Sequence, residues 1–209
     1  KKKKNSKKTI NDSVRDIGDI RGGIRYIECD FCNAESVTNM LRSVDKILDN
    51  PLWGHIDILA NVAGYFPIKS ILESDLQDYE DCFNINVKVP FLLSKKLGKH
   101  MCDKGWGRIV NIGSSSSYNG SGETGIYCAS KHALLGLSRS LYKEFKNQNV
   151  RVYSVSPGSV QSQMGKTDTR QDFSTFITPE KIAEYICFII SYDKEGISEE
   201  IRINRMVVR

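Results

Sequence analysis

Three residues in the middle of the chain, Ser114, Tyr127 and Lys131, have side chains that could together catalyse proton transfer. Tyr127 and Lys131 are four residues apart in a predicted helix, and this spacing places two side chains on one helix face. Tyrosine has a pKa of ~10, too high for a base near neutrality, but a nearby ammonium favours the phenolate and lowers that pKa. Ser114 could hold a substrate oxygen while Tyr127 gives or takes its proton. The three residues therefore predict general acid–base chemistry at an alcohol or carbonyl group.

Alternating strands and helices are expected to position these residues. Strands that are apolar and β-branched, and that alternate with helices, are typical of a parallel sheet covered by helices on both faces. Such a sheet binds ligands beyond the carboxyl ends of its strands, and Ser114 directly follows one predicted strand. The predicted strands are 24–29, 56–60, 108–112, 150–155 and 201–208. The predicted helices are 33–48, a helix that Ser74 caps and that continues through 83, a further helix through 97, and the helices 125–146 and 179–190.

Five elements, in the same order along the chain, resemble motifs of the short-chain dehydrogenase/reductase family. Tyr-x-x-x-Lys alone occurs often by chance, whereas five elements in family order make a strong signal. In the family's Asn-Asn-Ala-Gly motif, Val62 replaces the second asparagine. The resemblance covers roughly residues 24–192. The elements are Cys29-Asp30-Phe31, Asn61-Val-Ala-Gly64, Asn84-Ile-Asn86-Val87, Asn111-Ile-Gly-Ser114 with Tyr127-Cys-Ala-Ser-Lys131, and Ser156-Pro-Gly-Ser-Val-Gln-Ser162.

The resemblance implies an oxidoreductase that transfers a hydride between NAD(P)(H) and a carbonyl or secondary alcohol. The hydride chemistry belongs to the cofactor. By resemblance, Tyr127 is the general acid/base, Lys131 tunes it, Ser114 polarises the carbonyl, and Asn86 holds a water that links Lys131 to solvent. The implied cofactor-binding residues are Asp30 at the adenine, Asn61, Ala63, Gly64, Tyr127, Lys131 at the nicotinamide ribose, Pro157, Gly158, and Val160 and Ser162 at the carboxamide.

The resemblance also implies a fold and an assembly. We expect an α/β protein with a Rossmann-type, doubly wound parallel sheet in three layers, forming one domain over residues 1–209. A cytoplasmic homodimer or homotetramer is implied as well. The substrate would be a small carbonyl or alcohol compound, with no nucleic acid and no membrane as partner.

The glycine fingerprint of the family does not appear in its expected place. Three glycine patterns, at 18–23, 120–125 and 165–167, lack the required strand–turn–helix context or spacing and are interpreted as structural turns. The chain is therefore expected to begin just after the second strand of the family fold, without the first βαβ unit. It would be a truncated or partly observed form of a longer protein, or naturally short.

The beginning of the chain also bears on cofactor choice. Lysines fill positions 1–4, and no acidic residue precedes Asp12. A carboxylate after the second strand pairs with the ribose 2′-hydroxyl of NAD, whereas a basic group accommodates the 2′-phosphate. The sequence therefore favours NADP(H), with NAD(H) as the alternative.

Composition and charge exclude several other classes of protein. The net charge is +5, but six of the 30 Lys and Arg residues lie within residues 1–8, which leaves 24 basic and 25 acidic residues in the rest. This balance argues against a nucleic-acid-binding face. No apolar run approaches the ~20 residues that cross a bilayer. The six cysteines are scattered, which indicates reduced thiols, and Cys29-x-x-Cys32 has no second pair with metal-ligand spacing, so no metal site is expected.

Other interpretations of the same residues remain open. Singly, Tyr127 could be a packed helix tyrosine, Lys131 a solvated lysine and Ser114 part of a polar loop, while Asn61 could form a turn and Asn86 could break a helix. At the level of the whole protein, one alternative is a catalytically silent binding or regulatory protein with the family fold. Another is a nucleic-acid or acidic-partner binder that uses the lysines of residues 1–8. The substrate itself is not identified by the sequence.

Overall fold

The computed structural model describes residues 26–51, 54–193 and 195–206, in which four strands form one parallel sheet. Each strand pairs with the next in the chain, so the spatial order is the sequence order. The expected parallel α/β sheet is confirmed. The strands are β1 Ile58–Asn61, β2 Gly107–Ile112, β3 Val150–Pro157 and β4 Glu200–Ile203.

The described residues form five α-helices, and four of them cover the two faces of the sheet. Successive strand residues point to opposite faces, so Ile109 and Val110 of β2 enter two different cores. The helices that pack on the first face supply Val44, Leu97 and Leu141, and the helix on the second face supplies Ile182, so the expected three layers are confirmed. The helices are α1 Ala34–Leu48, α2 Leu76–Phe83, α3 Val89–Lys104, α4 Gly125–Phe145 and α5 Pro179–Ser191.

A π-helical turn, Asn84–Lys88, joins α2 to α3 without a break. A π turn contains an extra residue and therefore changes which side chains face inward. No helix in the described part of the chain is long and apolar enough to cross a bilayer.

The structure corrects several predicted boundaries. Residues 26–29 are not a strand, and 24–25 lie outside the described residues. A strand needs a partner for its backbone N–H and C=O groups, and among the described residues β1 pairs only with β2. The cap of α2 is Asp75 rather than Ser74, because the Asp75 carboxylate accepts from Asp78 N and the Asp78 carboxylate accepts from Asp75 N. The closing strand ends at Ile203, and 207–208 lie outside the described residues.

Candidate active site

Ser114 lies just beyond the carboxyl end of β2. The strands are in register, with Asn61 opposite Asn111 and Ile112 opposite Val155, so their carboxyl ends meet at one edge of the sheet. Ser114 is extended and caps a short 3-10 turn, and its Oγ accepts a hydrogen bond from Ser116 N at 3.1 Å. The Ser114 side chain also lies close enough to Tyr127 to lower the pKa of the tyrosine.

Helix α4 carries Tyr127 and Lys131 on the face that packs against this edge. Both side chains are buried, with Tyr127 7% and Lys131 4% exposed. Lys131 Nζ lies 5.6 Å from the centroid of the Tyr127 ring and donates to Ile112 O at 2.8 Å. The structure thus brings Ser114, Tyr127 and Lys131 together at the end of β2.

Burial controls the protonation of both groups. Burial raises the pKa of Tyr127 to about 12, although the neighbouring Ser114 side chain acts in the opposite direction. Burial lowers the pKa of Lys131 to about 8. In the cofactor-free protein, loss of water around both groups therefore disfavours both charged forms, and this effect dominates the pKa of Tyr127.

Asn86 lies in the π-helical turn, fully buried, and clamps the loop that follows β1. Its Oδ1 accepts from Tyr65 N at 2.8 Å, and its Nδ2 donates to Tyr65 O at 2.9 Å. A Cβ placed on Gly64 would lie 3.5 Å from Asn86 Oδ1 and 3.8 Å from Lys131 Nζ. The absence of a side chain at Gly64 therefore leaves a cradle between the asparagine and the lysine.

The Asn61 side chain is hydrogen-bonded to another buried side chain of the sheet. Its Nδ2 donates to Asn111 Oδ1 at 2.7 Å, and Asn111 Nδ2 donates to Ser138 Oγ at 2.9 Å. This buried chain of hydrogen bonds joins β1, β2 and α4. Ala63 follows two residues later, exposed, in the loop that leads to Gly64.

The residues after β3 reach the same region from the other side. Pro157 ends β3, and Gly158 N donates to Ile203 O at 2.8 Å. Val160 forms an isolated parallel bridge with Ile177. We call the residues between these two, 161–176, the strap. Ser162 Oγ accepts from Gly165 N at 3.1 Å, and Met164 Cε lies 3.4 Å from the point where a Gly64 Cβ would be.

An ion pair ties the strap to the loop before α4. Arg170 donates to the Asp168 carboxylate through Nε at 2.7 Å and to Glu123 Oε2 through a terminal nitrogen at 3.2 Å. The Glu123 backbone has a φ of 59°, and its carbonyl accepts from Lys69 N at 2.7 Å. The loops that contain Lys69, Glu123 and Arg170 therefore meet beside the start of α4. The 120–125 glycine pattern lies in the second of these loops.

Asp30 lies in the turn before α1 rather than at the end of β2. It is exposed, just before α1, and its Oδ1 accepts from Cys32 N at 2.9 Å. Conversely, sequence reasoning missed Ser130, which is fully buried between Tyr127 and Lys131. Ser130 is three residues after Tyr127, and this spacing could have indicated that both lie on the same face of the helix. No cluster of three or more potential metal ligands is found in the described residues.

Comparison with known proteins agrees with this arrangement. A sequence model of the family described as short chain dehydrogenase matches residues 3–172. The chain belongs to this family. Its resemblance to the family, inferred from the motifs, is confirmed.

Individual relatives show how far the similarity extends. A D-threitol dehydrogenase of Mycolicibacterium smegmatis is 34% identical over 149 residues, which cover 71% of this chain and 55% of that protein. An uncharacterized oxidoreductase of Thermotoga maritima is 31% identical over 143 residues, covering 68% of this chain and 54% of that protein. The chain thus spans about half the length of these relatives. A solved structure of a 4-hydroxyisoleucine dehydrogenase complexed with NADH has a TM-score of 0.78 at 28% identity, covering 93% of this chain and 84% of that one.

Proposed function

We propose that this chain carries the catalytic site of an oxidoreductase that transfers a hydride between NAD(P)(H) and a carbonyl or secondary alcohol. The observation that carries the proposal is the placement of Ser114 at the end of β2, beside the buried Tyr127, with Lys131 one helical turn further on. The names of the D-threitol and 4-hydroxyisoleucine dehydrogenases support an alcohol or ketone as the substrate class.

The residues present fit a nicotinamide dinucleotide. The Gly64 cradle lies beside the Lys131 amine, which could donate a hydrogen bond to a ribose hydroxyl. When bound, the cofactor would supply or accept the hydride. The residues that would hold it are Asp30 at the adenine, Asn61 at the end of β1, Ala63 and Gly64 in the loop that follows β1, Lys131 and Tyr127 at the nicotinamide ribose, and Pro157, Gly158, Val160 and Ser162 at the nicotinamide.

The protein's own residues would move the proton. In reduction, Tyr127 donates its phenolic proton to the carbonyl oxygen while Ser114 donates a hydrogen bond to the same oxygen. In oxidation, Tyr127 accepts the proton of the alcohol. A pKa of about 12 keeps Tyr127 protonated at neutral pH, which suits the role of acid. The Lys131 ammonium would stabilise the phenolate left behind, and Asn86 would hold the water through which the proton is replaced.

Substitution of Tyr127 tests this proposal. Tyr127→Phe in the full-length protein should lower kcat by roughly 10² to 10⁴, because the ring is kept but the proton donor is lost. Cofactor affinity, measured by NADPH and NADH fluorescence, should change less than twofold. Tyr142→Phe, about 20 Å further along the same helix, is the matched control and should retain activity.

Two outcomes would contradict the proposal in different ways. Near wild-type turnover in Tyr127→Phe would remove Tyr127 from the chemistry. Cofactor binding without turnover by the wild-type protein, over a panel of ketones, aldehydes and secondary alcohols, would instead support the catalytically silent binding protein.

We further propose a preference for NADP(H) over NAD(H). The support is the run of lysines at 1–4, 7 and 8, with no acidic residue before Asp12. A basic group favours the 2′-phosphate, which carries nearly two negative charges. By family membership we also propose a cytoplasmic homodimer or homotetramer.

A further inference from the structure

Ser130 is a buried polar residue to which the proposed reaction gives no role. It is 0% exposed and lies on α4 between Tyr127 and Lys131. Its Oγ donates to Tyr127 O at 2.8 Å and accepts from Asn86 Nδ2 at 2.9 Å. The hydroxyl therefore bonds both to the helix that carries the catalytic pair and to the asparagine in the π-helical turn.

The bond to Ser130 adds to two bonds with the Tyr65 backbone in holding the orientation of the Asn86 amide. An amide nitrogen has two hydrogens, and Tyr65 O takes one of them at 2.9 Å while Ser130 Oγ takes the other. The remaining neighbour of Nδ2 is Cys82 Sγ at 3.3 Å, and a thiol sulfur is a weak acceptor. With Nδ2 directed at Ser130, Asn86 Oδ1 is directed at Tyr65 N.

We propose that Ser130 is a positioning residue, which acts through Asn86 to hold the Gly64–Tyr65 backbone at a fixed distance from Lys131. The catalytic part of this inference rests on the proposed function. Asn86 Oδ1 forms one wall of the Gly64 cradle, and Lys131 Nζ forms another. Loss of the Ser130 hydroxyl removes one of the three hydrogen bonds that hold the Asn86 amide, so the amide holds the backbone of the Gly64 cradle less firmly.

Ser138 supplies a matched control on the same helix. It is 3% exposed, its Oγ donates to Leu134 O at 2.7 Å, and it accepts from Asn111 Nδ2 at 2.9 Å. Ser130→Ala and Ser138→Ala therefore remove the same two kinds of hydrogen bond from buried positions of α4. Both substitutions should lower Tm to a similar extent. Any other difference between the two variants is therefore due to where on α4 the hydroxyl was lost and not to a general loss of stability.

The first measurement is hydrogen exchange of the Tyr65 amide in the cofactor-free, full-length protein. Tyr65 N donates to Asn86 Oδ1, so the exchange rate of the Tyr65 backbone amide reports how firmly the Asn86 side chain is held. Loss of one hydrogen bond of ordinary net strength should speed this exchange by about 2- to 10-fold in Ser130→Ala, with little change in Ser138→Ala. Equal exchange rates in the two variants would overturn the inference.

The second measurement is catalytic. In Ser130→Ala we expect NADPH affinity and kcat each to fall by about 3- to 10-fold, with a changed pH profile of kcat, whereas Ser138→Ala stays near wild type. Ser130→Thr, which keeps the hydroxyl, should recover most of the loss. Wild-type kinetics in Ser130→Ala would contradict the role. If the wild-type protein has no oxidoreductase activity, the proposed function fails, but the Tyr65 exchange comparison still decides for or against Ser130.

Discussion

Replacing Lys131 with methionine should change how the stability of the cofactor-free protein depends on pH. The buried amine has a pKa of about 8, against about 10.4 for lysine in an unfolded chain. Between these two values the unfolded lysine binds a proton and the folded one does not. The unfolded state then holds more protons, so the stability of the wild-type protein rises as the pH increases through this window.

The two pKa values set the magnitude. One pH unit corresponds to about 1.4 kcal/mol per proton, and the window from pH 7 to pH 10 covers most of the difference. The Lys131 contribution to the free energy of unfolding should therefore rise by about 2 to 3 kcal/mol over that range. Methionine cannot titrate, so the Lys131→Met variant should lack this rise. The change in stability at any single pH also contains the lost bond to Ile112 O.

Urea denaturation of both proteins at pH 7, 8, 9 and 10 measures the effect. The quantity to plot is the unfolding free energy of the wild type minus that of the variant, because the titration of groups that do not interact with Lys131 cancels. Lys143→Met, an exposed lysine on the same helix, is the control and should give a difference that does not vary with pH. A pH-independent difference for Lys131→Met would refute the argument from burial.

At neutral pH, the same variant should bind cofactor more weakly and turn over more slowly, because one ammonium is assigned both the binding of the nicotinamide ribose and the stabilisation of the Tyr127 phenolate.

Two further expectations concern cofactor binding. Fluorescence titration of the full-length protein should give tighter binding of NADPH than of NADH, with the preference weakening as salt rises, and tighter NADH binding would contradict it. Gly64→Ala should fold, because the new methyl group would be in ordinary van der Waals contact with Met164, Asn86 and Lys131 at 3.4 to 3.8 Å, but it fills the cradle and should raise the cofactor Kd about tenfold. Gly136→Ala, on α4 with nothing within 4 Å of its new Cβ, should leave the Kd unchanged.

Elements with a local signal could be predicted closely from the sequence. Helix α1 was expected at 33–48 and is observed at Ala34–Leu48, because Val37, Met40 and Val44 repeat at helical spacing and Asn33 caps the first turn. Strands β2 and β3 also lie close to their predicted positions, since continuous β-branched runs leave few alternatives. The spacing of Tyr127 and Lys131 was enough to place them on one face.

Features that depend on the neighbours of a residue could not be predicted in this way. Residues 26–29 have strand-like composition, but composition does not supply a partner strand. The π-helical turn is held by the bonds of Asn86 to Tyr65, a contact across 21 positions of the chain. The rise in the Tyr127 pKa reflects burial of the ring, which a helical spacing does not reveal.

The bridge between Val160 and Ile177 has a consequence for how freely the length of the strap can vary. Ile177 N donates to Ser159 O at 3.0 Å, and Gln161 N donates to Ile177 O at 2.8 Å, so the two ends of the strap are joined at its base. A loop whose ends are already held together can change in length at little entropic cost. The length of the strap, residues 161–176, can therefore change with little effect on the sheet. An insertion or deletion there would instead move Met164, which lies against the Gly64 cradle, and so alter the space beside Lys131.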